Sequence, residues 1–147
     1  MPIKFKFITP DDREYAHECM LRYEILRKPL GMPPGSELFP EEKTSLHLIA
    51  INKKEVVGCV LFFPENENSG RLYQMAVSEE YQGKGFGRKL ISTLEQAVEK
   101  LGIKTIHLYA REETVGFYLE LGYHPVGSLV EKMEVMHQPM EKTLSSQ

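Results

Sequence analysis

From Gln82 to Arg88 the chain reads Gln-Gly-Lys-Gly-Phe-Gly-Arg, with glycine at every second position from Gly83 to Gly87. Alternate glycines where a chain enters a helix remove side chains from the turn, so successive N–H groups point outward and converge on an anion, a phosphate above all. Behind the turn, Leu90, Ile91, Leu94, Ala97, Val98 and Leu101 recur at helical spacing, and Gly102 supplies a stop. Lys84, Arg88 and Lys89 stand at the start of that helix. There the macrodipole disfavours each cation by about 0.3 to 1 kcal/mol, a penalty that an anionic ligand reverses.

Spacing separates the ways such a turn is used. A Walker A loop places Ser or Thr after its Gly-Lys pair to reach a metal, whereas here Gly85 follows Lys84, which argues against nucleotide hydrolysis. The dinucleotide fingerprint requires a third glycine three residues after the second, and position 88 is Arg. A tight strand-to-helix turn that holds no ligand is the plain alternative, so the flanking segments decide.

Those segments predict a mixed α/β plan. Residues 3 to 8 alternate apolar and basic, as a half-buried strand does. Thr9, Pro10 and Asp11 offer capping chemistry for a helix running to about Arg27. The stretch from Lys28 to Ser45 holds four prolines and two glycines and reads as a long loop of the kind that forms lids and binding walls. Its Glu37, Glu41 and Glu42 read as a solvated acidic surface. Leu46–Ile51 and Val56–Phe63 form a hairpin, and Arg71–Val77 is the strand that enters the glycine turn. Lys104–Ala110 is a further strand, Glu112–Leu121 a short helix, and Tyr123–Val130 and Met133–Thr143 two closing strands.

With 147 residues, 41% of them hydrophobic and 27% charged, the expectation is one soluble domain spanning residues 1–147. A net charge of −3 argues against a generic nucleic-acid surface. No apolar run reaches membrane-spanning length, and the N-terminal residues lack the core of a signal peptide. Cys19 and Cys59 form neither a disulfide framework nor a CxxC pair and read as packing residues, which points to a reduced, cytoplasmic setting. The five histidines show no metal-ligand spacing, so no metal is expected.

Two segments in fixed order give a resemblance to the GNAT N-acetyltransferase superfamily. Gln82, Gly85 and Gly87 match in register the motif that wraps the coenzyme A pyrophosphate, preceded by Met75-Ala76-Val77-Ser78-Glu79-Glu80-Tyr81. Downstream, Phe117-Tyr118-Leu119-Glu120-Leu121-Gly122-Tyr123 resembles the family's Phe-Tyr, two residues, Leu-Gly-Phe/Tyr signature. The resemblance implies a splayed mixed sheet of about seven strands flanked by helices, with acetyl-CoA as acetyl donor between the fourth and fifth strands. It assigns donor binding to Met75, Ala76, Val77, Gln82, Gly83, Lys84, Gly85, Phe86, Gly87 and Arg88. Tyr118 occupies the position of the acid that protonates the departing thiolate.

The implied reaction is direct attack by an amine on the thioester, which needs no protein nucleophile. The implied acceptor is a primary amine of a small molecule or aminoacyl compound, with a protein N-terminus or lysine, or a non-catalytic acetyl-CoA sensor, as alternatives. A homodimer is a further family expectation. The chain departs from the pattern in two places: Arg71 to Gln74 offers no carboxylate as base, and Arg111 stands where many relatives carry an Asn. His137 lies in a segment that resembles the histidine-containing last strand of one bacterial branch.

Overall fold

The computed structural model describes residues 2–144. Its sheet runs β1-β2-β3-β4-β5-β8-β6, with β7 paired to β8. The strands are β1 (Lys4–Ile8), β2 (Leu46–Asn52), β3 (Glu55–Pro64), β4 (Ser69–Val77), β5 (Thr105–Arg111), β6 (His124–Pro125), β7 (Val130–Lys132) and β8 (Val135–Thr143). Helices α1 (Tyr15–Arg22), α2 (Phe86–Lys100) and α3 (Val115–Glu120) flank them. Eight strands thus stand where about seven were expected. The expected strand Tyr123–Val130 is two short pieces, because Pro125 cannot donate to a ladder and Gly127 turns left-handed at φ 71°. Met133 is not in the last strand either. It and Glu134 form a two-residue hairpin turn with both φ values positive, 54° and 63°, the geometry that matches strand twist.

The core lies between the sheet and α2. Leu90, Ile91, Leu94 and Val98 of α2 are buried against Leu48, Val57, Val60, Leu72, Ile106 and Leu108 of the strands. A smaller cluster on the opposite side joins Ile8, Ile49, Ile51, Cys59 and Ala76 to Leu21 of α1.

Two irregularities shape the middle of the sheet. β4 and β5 pair in parallel only from Ser69↔Thr105 to Arg71↔His107, and beyond that point they separate. In β4 the register against β3 steps from Leu61↔Tyr73 to Cys59↔Ala76, so β4 carries one extra residue. The bulge centres on Gln74, a non-glycine residue at φ 55°. α1 ends irregularly as well. The predicted helix to Arg27 is α-helical only as far as Arg22, and Tyr23–Arg27 is a single π turn. Such turns insert one residue and re-aim the side chains around them.

Candidate active site

The separation of β4 from β5 opens a cavity of about 420 Å³. Its walls include Leu72 to Met75 from the bulged strand, Leu108, Tyr109 and Arg111 from β5, Tyr118 from α3 and His137 from β8. Leu26 and Arg27 of the π turn close one side, and Leu30, Phe39, Pro40 and Glu41 of the long loop cover it. The loop thus forms one wall of the cavity.

At one end of the opening β4 runs into the glycine turn. Gly83 and Gly85 lie at φ 76° and 88°, the left-handed region that disfavours any side chain, and a Cβ on either would project into open space. Gly87 has a different reason: a Cβ there would come within 3.3 Å of Met75 Cε and 3.4 Å of Phe117 Cζ. Among the described residues, the consecutive backbone N–H groups of Gly83, Lys84, Gly85, Phe86, Gly87 and Arg88 have no acceptor, and the first bond into the helix runs from Lys89 N–H to the Gly85 carbonyl at 3.1 Å. A run of unanswered donors around open space fits a pyrophosphate.

The side chains of the turn make contacts within the chain. Gln82 donates its amide to the Val77 carbonyl at 2.9 Å, tying the turn to the end of β4. Phe86 packs on Tyr81 and Phe5. The Lys84 ammonium lies 5.8 Å from the Tyr81 ring centroid, and exposed Arg88 pairs with Glu120 at 2.9 Å. Before the turn, Ser78 N–H bonds to Val57 on the β3 side at 2.8 Å. Strand alternation therefore directs Ala76 to β3, and Met75 and Val77 toward the edge that β5 leaves open.

Tyr118 is 7% exposed and stacks edge-on between Phe117 and Tyr123, with centroids 5.1 and 5.7 Å away. Its hydroxyl has no hydrogen-bond partner among the described residues. Burial pushes its pKa upward, so the phenol keeps its proton at neutral pH. His137 also faces the cavity. Its Nδ1 lies 2.8 Å from the Val135 carbonyl, which can only accept, so Nδ1 carries the proton and Nε2 presents a lone pair. Burial, with Arg111 and Lys132 nearby, lowers its pKa below 6.5 against the opposing hydrogen bond to Val135 and charge of Glu113.

A buried polar cluster stands behind the cavity wall, and it corrects the reading of the loop glutamates as a solvated surface. Glu42 is 4% and Glu37 8% exposed. Arg22, fully buried, donates to Glu18 at 2.7 Å, to both Glu42 oxygens at 2.9 and 2.5 Å, and to the Glu37 carbonyl. His47 bonds to Glu18 at 3.0 Å, and Tyr15 donates to Glu42 at 2.5 Å. Glu18, Glu42 and His47 bring ligand-type atoms within 4.8 Å of one another, the spacing of a metal site. Each of these groups is already engaged by Arg22 or by a proton, which makes the group an ion-pair network. Arg22 Nε reaches Gln74 Oε1 at 3.4 Å, so the network abuts the bulge. Sequence reasoning missed Glu18, Arg22 and His47; the i, i+4 spacing of Glu18 and Arg22 was the available signal.

Comparison with known proteins agrees with this arrangement. Residues 35–144 match the model of the acetyltransferase (GNAT) domain. An acetyltransferase of Pectobacterium atrosepticum is 33% identical over 131 residues, 84% of this chain and 89% of that protein. Among solved structures, an acyl-CoA N-acyltransferase of Pseudomonas aeruginosa superposes with a TM-score of 0.84 at 18% identity, covering 96% of this chain and 99% of the other. An aminoglycoside 6′-N-acetyltransferase solved with coenzyme A gives 0.81 at 18% identity and 98% of each chain. With a domain match over most of its length and a relative 33% identical across 84% of it, the chain belongs to the GNAT family of acetyl-CoA-dependent N-acetyltransferases.

Proposed function

We propose that this chain moves an acetyl group from acetyl-CoA to the primary amine of a small molecule or aminoacyl compound by direct attack. Acetyl-CoA, when bound, supplies the activated thioester. The free N–H groups of Gly83 to Arg88 hold its pyrophosphate, and the open edge of Met75 and Val77 takes the pantetheine arm beside the cavity. The single observation that carries the chemistry is the hydroxyl of Tyr118, a cavity-lining residue, which has no partner among the described residues.

Tyr118 gives its proton to the sulfur as the C–S bond breaks. Burial weakens the phenol as an acid, but the same dry setting raises the proton affinity of the leaving thiolate, which keeps the transfer matched. His137 Nε2 takes the proton from the amine nitrogen as the C–N bond forms, which supplies the base that β4 lacks. The nitrogen loses one proton and the sulfur gains one, so the balance closes once His137 and Tyr118 return to their starting states through solvent.

The loop wall of Leu30, Phe39, Pro40 and Glu41 favours a small acceptor over a protein segment, which needs an open groove. A screen of small amines and N-terminal peptides, read by release of free thiol from acetyl-CoA, tests this. Turnover of small amines supports the reading, and turnover confined to peptides would move the acceptor to the protein class.

A further inference from the structure

The wall of the cavity holds two arginines, Arg27 and Arg111, that no carboxylate among the described residues contacts. Arg27 is 2% exposed, yet its guanidinium donates only to carbonyls, Ser36 at 3.1 Å and Leu26 at 3.3 Å. Arg111 reaches the same Leu26 carbonyl at 2.8 Å, so two guanidinium groups meet on one oxygen at the cavity wall. Neither forms an ion pair with a carboxylate among the described residues. Nearby acids make contacts of their own: Glu41 Oε2 pairs with Arg71 at 3.4 Å while its buried Oε1 has no partner among the described residues, Glu42 pairs with Arg22, and Glu37 accepts the Gly35 N–H at 2.9 Å. Lys132, 4.2 Å from the Tyr109 ring centroid, adds a further cation to the same wall. Burial, with the charges of Arg111 and Arg22, holds the Arg27 pKa below its ordinary value against the opposing charge of Glu37.

A guanidinium held out of water, as that of Arg27 is, is costly unless an anion completes it, and the planar forks of Arg27 and the half-buried Arg111 match a carboxylate or phosphate. The donor's pyrophosphate does not fill this role, because the glycine turn assigned to it is not part of the cavity wall. Arg111 is the cross-strand partner of His137 in the β5–β8 register. Directly opposed residues lie about 5 Å apart at Cβ, so an anion on Arg111 sits within a small molecule's length of the group that deprotonates the amine.

We propose that the acceptor carries an anionic group, a carboxylate or phosphate, close to its primary amine, and that Arg27 and Arg111 bind this group. The proposal rests on the acetyl-transfer reading above and narrows its acceptor to compact amino acids or amino phosphates.

The test uses matched probes that differ in charge alone: the common amino acids against their amides, and phosphoethanolamine against ethanolamine, with kcat/KM from thiol release. The anionic member of a pair should be preferred by about 10 to 100-fold, the worth of one or two charge-assisted hydrogen bonds. The two sets separate carboxylate from phosphate. In Arg111→Gln the preference should collapse to within about twofold, mainly through KM, and Arg111→Lys should restore part of it. Equal rates for charged and neutral members in the wild type would overturn the proposal, as would a preference that survives in a folded Arg111→Gln protein. It also falls if neutral amines turn over and no anionic one does. Calorimetry with coenzyme A runs alongside: loss of coenzyme A binding in the wild type would instead remove the donor reading beneath the proposal.

Discussion

His47 and Glu18 face each other out of contact with water, with Nδ1 3.0 Å from the carboxylate, while His47 Nε2 lies 2.8 Å from the Glu42 carbonyl. Both ring nitrogens meet acceptors, so the imidazole holds two protons and is a cation. With Arg22 it balances Glu18 and Glu42, and the four side chains join α1, the long loop and β2 into one wall behind the cavity. Removing one member of such a group leaves a buried charge unpaired, at about 3 to 5 kcal/mol.

Stability should therefore depend on pH with two limits. Burial opposes the charged form of His47, but the hydrogen bond and charge of Glu18 outweigh it, and the pKa lies above 6.5. That contribution is complete below the unfolded pKa of about 6.5 and is lost as pH rises through the folded value. Glu42 is likewise opposed by burial but held below 4.5 by Arg22 and Tyr15, so its contribution is lost as pH falls through its lowered pKa. Urea unfolding across pH should show the alkaline decline in the wild type and not in His47→Gln. The same slope in both proteins would remove His47 as its cause.

Gly85 tests the anion cradle, with Gly127 as a control for backbone strain. Both have positive φ, 88° and 71°, and both face open space. Gly85→Ala and Gly127→Ala should each lose about 1 to 2 kcal/mol from the left-handed conformation. Only Gly85→Ala should also weaken coenzyme A binding, by about tenfold or more in calorimetry. Equal affinity in the two variants would remove the turn from the donor site.

His137 predicts the direction of the pH–rate profile. A base must be neutral, so kcat/KM should rise with pH through a pKa below 6.5, lowered by burial and by Arg111 and Lys132 against the pull of Glu113. His137→Gln should abolish that limb and lower turnover by about 10² to 10⁴. An unchanged acid limb in His137→Gln would leave His137 a sheet residue.

The glycine turn and the elements on either side of it were legible in the sequence because they depend on local rules. Alternate glycines, the 3.6-residue period of α2 and the Phe117-Tyr118 pair are contiguous signals, and all fall where they were read. The cavity wall and the polar cluster behind it depend on contacts distant in sequence. Glu42 read as surface charge, and Glu18, Arg22 and His47 went unnoticed, because nothing local tells a paired buried ion from a solvated one. The bulge was equally hidden, since Gln74 is not a residue that advertises a positive φ. The division of Tyr123–Val130 was foreseeable, because Pro125 and Gly127 both argue against a continuous strand.

Tyr118 carries the central claim, and a single-turnover measurement on Tyr118→Phe tests it most directly. The substitution keeps the ring packed between Phe117 and Tyr123 and removes only a hydroxyl that has no partner among the described residues, so fold and coenzyme A affinity should stay near wild type. The rate of acetyl transfer to an identified amine should fall by about 10² to 10⁴, with kcat and kcat/KM lowered alike where chemistry limits both. Transfer at the wild-type rate in a single turnover would contradict the account and return Tyr118 to a packing role.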